Sequence, residues 1–322
     1  MKKTWLSAAL MAAALFTGAA QADTYPTKAV TMVVPYPAGG ATDIVARAVA
    51  EQLGTTWKQS VIVENRAGAG TTIGAGYVAR AAGDGYTLFM TTSAHTISGH
   101  LYQKLPYSPM KDFAPITLVT KVPLVLVINP NIPAQNLKEF LEHLKKDSAN
   151  VNFASPGTGT AQHLSGELFK IATKSGITHV PYRGDSPAFT DLMGGQVQMM
   201  LATITSALPL IESGKLRALA VANDKRVPAL AKVPTFAEAG MPDFQAATWF
   251  GLLAPASMKP ELAERIYGDV SKIVATPEMR ARIEALGGEV VNSTPAQFAD
   301  FMRAEEVKWG QAVKASGATA SN

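Results

Sequence analysis

Short apolar runs alternate with amphipathic stretches along most of the chain, and that alternation predicts an α/β fold with mostly parallel sheet. Val30 to Val34 reads as a buried strand. Ile44, Val45, Ala48, Val49 and Leu53 then fall on one face of a helix that starts at Thr42 or Asp43. Further strands are predicted at Val61–Asn65, Tyr86–Met90, Val151–Ala154, Val197–Leu201 and Leu216–Val221, with a strand end at His179–Tyr182. Helical signals lie around Tyr77–Ala82, after Asn136, around Leu164–Ile171, after Ser186 and from Val233 to Gly240. Asn136 with Glu139 forms a capping box, and Thr276 and Thr294, each followed by proline, read as N-caps. The last helix is expected from about Pro295 to Ala315.

Two apolar runs are too long for an ordinary strand within one layer. Leu118 to Ile128, broken by Pro123, suits a strand that leaves one domain and enters another, and Thr248 to Leu253 suits the return crossing. Residues 23–120 together with 248–322 are expected to form one discontinuous domain, and residues 121–247 the other. Trp249 is expected to pack between them.

The amino terminus changes the reading of composition. Lys2 and Lys3 precede an apolar core from Trp5 to Phe16 and a small-x-small site at Ala20-Gln21-Ala22, the pattern of a secretory signal peptide cleaved after Ala22. Its core is shorter than the roughly 20 residues that span a bilayer. Removing 22 of the 322 residues leaves 300, enough for two domains, and lowers the formal charge from +4 to +2. No Lys/Arg run points to nucleic acid. A chain without cysteine needs no disulfides and offers no lipid-anchor thiol, so a free periplasmic protein is expected.

Enzyme signatures are missing. There is no Gly-x-Ser-x-Gly elbow and no P-loop, and Gly68-x-Gly70 with Gly74 misses the dinucleotide spacing by one residue. His95, His100, His143, His163 and His179 show no metal-ligand spacing, and His163 and Ser165 sit two apart on a helix, facing different ways. The expectation is a non-enzyme with no metal and no cofactor.

The informative feature is a repeated device. Val33-Val-Pro-Tyr-Pro-Ala-Gly-Gly-Ala-Thr-Asp43 runs from a strand through a Pro/Gly turn into a helix, and Ser155-Pro-Gly-Thr-Gly-Thr160 repeats the arrangement in the other half. A helix N-terminus presents free N–H groups and about half a positive charge. Two such ends, with Thr and Ser hydroxyls beside them, provide the donors a carboxylate accepts. Four hydrogen bonds to a charged group contribute about 6–12 kcal/mol before closure costs, against about 8 for a micromolar complex. Asp43 either caps its turn or accepts a ligand or water proton. Arg66 and Arg183 lie in loops at strand ends as surface residues or ligand clamps, and Tyr36 and Tyr182 are pocket walls or core.

These segments, with Val63-Glu-Asn-Arg-Ala-Gly-Ala-Gly70, Asp84-Gly-Tyr-Thr87, Val180-Pro-Tyr-Arg-Gly184, Gly214-Lys-Leu-Arg-Ala-Leu-Ala220 and Trp249-Phe-Gly251, closely resemble the Bug family. Its members are solute-binding proteins of the tripartite tricarboxylate transporter system, and the resemblance covers essentially the whole mature chain. It implies a two-domain periplasmic binding protein of the Venus-flytrap type II class, with a carboxylate held in the cleft by backbone N–H groups, hydroxyls and ordered water. It also implies a membrane permease as partner, with a sensor protein as the alternative. Thr71-Thr72 replaces the glycine pair usual in that family, which puts the family's ligand classes in doubt. The expected ligand-binding set is Tyr36, Ala38, Gly39, Gly40, Thr42, Asp43, Thr71, Thr92, Ser93, Ser155, Thr158, Gly159, Thr160, His163 and Tyr182. The expected guest is a mono- or dicarboxylate bound by a monomer.

Overall fold

The computed structural model describes residues 25–320; the expected signal peptide and its cleavage site lie outside the described residues. Strand β1 (Val30–Val34) feeds helix α1 (Ala41–Trp57), and β2 (Val61–Asn65) leads through a 3-10 turn at Ala69–Thr71 into α2 (Thr72–Ala79). Next come β3 (Thr87–Thr92), α3 (Ala94–Leu101) and the long β4 (Phe113–Ile128). The second half runs α4 (Leu137–Asp147), β5 (Asn152–Ser155), α5 (Ala161–Thr173), β6 (Thr178–Pro181), α6 (Asp185–Gly194), β7 (Met199–Thr203), α7 (Ile204–Glu212) and β8 (Arg217–Val221). The chain returns along β9 (Ala247–Pro255) and ends with α8 (Pro260–Ala275), α9 (Pro277–Ala285), β10 (Glu289–Val290) and α10 (Pro295–Ser316).

The fold is α/β with two lobes joined by crossing strands. Strand β4 pairs with β9 as far as Pro123 and with β7 from Leu124 onward, so the change of lobe falls at the proline that interrupts the apolar run. Proline has no N–H for a ladder and suits a point where one strand leaves one sheet for another. Each lobe keeps parallel outer strands, β2, β1 and β3 in one and β6, β5 and β7 in the other. The crossing strands β4 and β9 pair antiparallel with their neighbours, so the sheet is mixed rather than mostly parallel. Such crossings run back and forth between lobes, which forces the antiparallel sense.

Local chemistry sets most element ends. Asn136 Oδ1 accepts the Glu139 N–H at 2.9 Å, and Thr294 with Gln297 forms a full capping box on α10. Three expectations are corrected. Helix α6 begins at Asp185 after Gly184, without a Ser186 side-chain cap. The segment after Val233 is a turn, in which Glu238 accepts the Thr235 N–H, and not a helix. The small-residue helix starts at Thr72, well before Tyr77. Helices α3 and α7 have no counterpart among the elements expected from the sequence.

Trp249 also departs from expectation. It packs inside the first lobe, edge-on to Phe298 and Phe301, not between lobes. Its neighbour Phe250 takes the inward position instead, because successive strand residues face opposite sides. The indole N–H groups of Trp249 and Trp309 both donate to buried Glu305 Oε2, at 3.1 and 2.7 Å. Helix α10 thereby locks to β9 at one point. Its Trp309, Ala312 and Val313 then join Ile97 and Leu101 of α3 and Ala161 and Leu164 of α5 in one apolar seam that touches both lobes.

Replacing Glu305 by alanine leaves two buried indole donors without an acceptor. We expect a loss of about 2–4 kcal/mol in urea unfolding, with the loss recovered in part by Glu305→Gln, whose carbonyl still accepts.

Candidate ligand-binding cleft

The first device forms where β1 meets α1. Gly39 has φ +83°, a left-handed conformation that favours glycine, and its N–H donates to Asp43 Oδ2 at 3.0 Å. Asp43 also accepts from Arg47 Nε (2.8 Å) and, through Oδ1, from Asn65 Nδ2 (2.9 Å); that same amide donates to the Tyr36 carbonyl. Burial pushes the Asp43 carboxyl up, but these three bonds outweigh it and hold the group below the usual carboxylate range. Asp43 is therefore a turn-former: it fixes the Pro/Gly loop from inside. The first-turn N–H groups of Ala41, Thr42 and Asp43 have no acceptor within the helix.

The second device forms where β5 meets α5. Gly159 (φ +84°) donates its N–H to His163 Nδ1 at 3.2 Å, and Thr160 Oγ1 donates to the Gly157 carbonyl at 2.8 Å while accepting the His163 N–H. Because Nδ1 accepts, the His163 ring is neutral, with its proton on Nε2. Burial lowers His163 to about 4. Burial and then the stacked His163 ring, 3.9 Å away, lower His179 to about 3. His179 Nε2 lies 2.7 Å from Ser155 Oγ, so both neutral rings serve to hold the loop.

The two devices meet. A cavity of about 490 Å³ is lined by Tyr36, Pro37 and residues 67–71 of the first lobe and by Pro156, Gly157, Thr160, Tyr182 and Arg183 of the second. It adjoins a tight inner cavity of about 20 Å³, room for roughly one water, and shares Tyr36, Pro37 and Pro156 with it. Gly40, Ala41, Thr42, Thr92 and Thr248 of the first lobe and Gln162, Asp185 and Thr203 of the second line this inner space, with Phe250 from the return strand. Tyr36 OH and Thr92 Oγ1 lie 3.1 Å apart, and Gln162 Nε2 donates to Thr203 Oγ1 at 2.8 Å.

Of the expected set, Tyr36, Gly40, Thr42, Thr71, Thr92, Thr160 and Tyr182 line these two cavities. Ala38, Gly39, Asp43, Ser93, Ser155, Thr158, Gly159 and His163 do not; several of them shape the loops from behind. Tyr182 turns its hydroxyl to Asp191, 2.8 Å away. Arg66 pairs with Glu64, lies over the Tyr77 ring at 3.6 Å and lines neither cavity.

Sequence reasoning missed Gln162, Asp185, Thr203, Thr248 and Phe250. Asp185 is the most telling. Its Oδ2 accepts the Ala41 N–H at 3.1 Å, so a carboxylate from the second lobe sits on the helix N-terminus of the first. Burial raises its pKa; the Ala41 N–H and nearby Ser206, whose hydroxyl points at the Thr203 carbonyl, act against that. Only its position after Val180-Pro-Tyr-Arg-Gly184 could have signalled it, since its partner lies 144 residues away.

The turn at Ala69, Gly70 and Thr71 has three consecutive left-handed residues, with φ of +45°, +58° and +84°. A β-branched residue there is strained. Thr71→Gly is expected to relieve about 1 kcal/mol, read as a raised midpoint in thermal unfolding, and to widen the outer cavity. Asp43 gives a pH-dependent prediction. Its folded pKa is depressed, so its stabilisation is present above the ordinary value of 3.8 and lost as pH falls through the folded value. The stability gap between the parent chain and Asp43→Asn, measured by urea unfolding, should therefore narrow between about pH 5 and about pH 3.

Comparison with known proteins agrees with this geometry. Residues 45–318 match the model of the tripartite tricarboxylate transporter family receptor. The chain is similar to the structure of the periplasmic binding protein BugD, with 35% identity and a TM-score of 0.87 over 92% of this chain and 99% of that one. It is also similar to R. palustris Rpa4515 with adipate, with 32% identity and a TM-score of 0.89 over 91% and 98%. MatC from Rhodopseudomonas palustris with bound malate gives 35% identity and a TM-score of 0.84 over 90% and 100%. Among the described residues no helix is long and apolar enough to cross a membrane. The chain belongs to the tripartite tricarboxylate transporter receptor family, and it has that family's two-lobed solute-binding fold, with a cleft between its two strand-to-helix turns.

Proposed function

We propose that this protein is a periplasmic receptor that captures a small organic acid between its lobes and delivers it to a membrane permease. The observation that carries the reading is the convergence of two helix N-termini, from opposite lobes, on one pair of adjoining cavities. In the inner cavity the donors are uncharged: first-turn N–H groups of α1 and the hydroxyls of Tyr36 and Thr92. Donors of that kind hold an anion without burying an ion pair, which avoids a desolvation cost of several kcal/mol per ion. Adipate and malate in two relatives support an acid as guest. The chain would be exported by the leader ending at Ala22 and act as a monomer that returns its guest unchanged.

Residues 23–120 with 248–322, and residues 121–247, are taken as the two bodies that close. Their closest approach at the cleft supports this. Pro37 touches Gly184, and a Cβ on Gly70 would meet the Tyr102 hydroxyl and come within 2.7 Å of the Thr158 carbonyl of the other lobe. Gly70 is thus a closure point where backbone faces backbone. A methyl group there would wedge the lobes apart.

Calorimetric titration of the purified chain with adipate, malate and related acids tests the function. At least one acid is expected to bind in the micromolar range and to be recovered intact; no binding across the panel, or chemical conversion of the acid, would refute the reading. Gly70→Ala is expected to weaken that acid about tenfold or more while unfolding at nearly the same urea concentration. Equal affinity would show that closure does not use this contact.

A further inference from the structure

The contact between the lobes does not end at the cleft. Gly70 of the first lobe faces the Thr158 carbonyl of the second, with the Tyr102 hydroxyl beside it. One residue back, at the end of α3, Leu101 fills the notch that Gly159 leaves. A Cβ on Gly159 would come within 2.8 Å of Leu101 Cδ2 and 3.9 Å of Ile97 Cγ2. From that notch the contact continues as an apolar seam. Ile97 and Leu101 of α3 cluster with Ala161 and Leu164 of α5 and with Trp309 and Val313 of α10, and all six are 9% exposed or less.

Helix α10 is rooted in the first lobe. Phe298 and Met302 sit in that lobe's core, and Glu305 accepts from Trp249 of β9. Gly310 lets α10 lie close against α3, since a Cβ there would come within 2.8 Å of the His100 ring. Helices α3 and α10 therefore move as one packed body, and α5 is the part of the second lobe set against it. A motion that draws the second guest loop away from Gly70 also draws Gly159 off Leu101 and α5 off α10. Resting on the receptor reading above, we infer that this seam is an apolar latch: it forms as the lobes close and so sets how tightly any acid is held. None of its residues lines either cavity. The latch acts on the guest only through closure. An acid that binds the closed form has its apparent affinity scaled by the fraction of empty molecules that close. Opening wets the side chains of Leu101, Leu164, Trp309 and Val313, which water disfavours. The latch thus favours the closed form from outside the cleft, and contacts to the guest complete the closure.

Trp309 reports on the latch directly. Of the three tryptophans among the described residues it alone joins the seam; Trp249 lies inside the first lobe and Trp57 packs on Tyr25. The whole mature chain is titrated with adipate, malate and related acids, followed by calorimetry and by tryptophan emission. Binding is expected to shift the emission to the blue and to reduce acrylamide quenching, and Trp309→Phe to remove most of that change. Val313→Ala and Leu164→Ala trim the seam from either side. Each is expected to weaken the acid about three- to tenfold, although neither residue touches it. A seam that stays packed in open and closed forms alike would lower the urea midpoint and leave affinity unchanged. Unchanged or tighter binding by these variants therefore overturns the inference and leaves the receptor reading standing. So does a parent chain whose emission does not move on binding, or moves equally in Trp309→Phe. If neither trimmed variant folds, the emission of the parent chain decides. Binding of no acid overturns the receptor reading, and the latch with it.

Discussion

Every feature of this cleft depends on how helix N-termini are satisfied. A helix that starts at a glycine turn leaves three N–H groups of its first turn without internal acceptors, and something must answer them. At α1 the answer is partly internal and partly borrowed. Asp43 takes the loop N–H of Gly39 from within, and Asp185 takes Ala41 from the opposite lobe. At α5 the bonds are local: Thr160 Oγ1 accepts the His163 N–H, and the Gly159 N–H of the turn goes to His163 Nδ1. The two ends of the cleft are thus chemically unlike, although they begin from the same strand-turn-helix design.

The same constraint explains why so many polar residues around the cleft do not reach into it. Loops built on left-handed glycines need side chains behind them to fix their course. Asp43, Asn65, Ser155, His163 and His179 do this work from the rear, and burial keeps the two rings neutral so that they act as hydrogen-bonding spacers. Rigidity on one face leaves the cavity side to a few groups: Tyr36, Thr92, Thr160, Gln162 and Thr203. Farther back, the Glu305 bridge between two tryptophans and the apolar seam of α10 hold the lobes in register behind the cleft.

Much of this architecture was legible in the sequence, because local chemistry encodes it. The two Pro/Gly turns, the Thr and Asn caps and the crossing run broken at Pro123 are short-range signals, and the structure has each of them. The first failure was of strand sense. A run of apolar residues does not say whether its neighbour is parallel, and β4 and β9 are antiparallel because they bridge lobes. The second failure was one of facing. Trp249 and Phe250 are adjacent, and nothing in the sequence said which of them looked into the cleft. The third was distance. Asp185 meets Ala41 only through lobe-to-lobe packing, and His163 turns to its own loop only because the β5–α5 turn curls back on it. Local pattern identified the loops; which of their atoms face a guest is decided by tertiary contact.

The proposed function requires lobes that come together around a small acid. Small-angle X-ray scattering of the chain, free and saturated with an acid it binds, measures this most directly. Closure predicts that the radius of gyration falls on binding and that the bound profile matches the two-lobed structure described here. An unchanged radius, or a bound profile that fits only separated lobes, would contradict it.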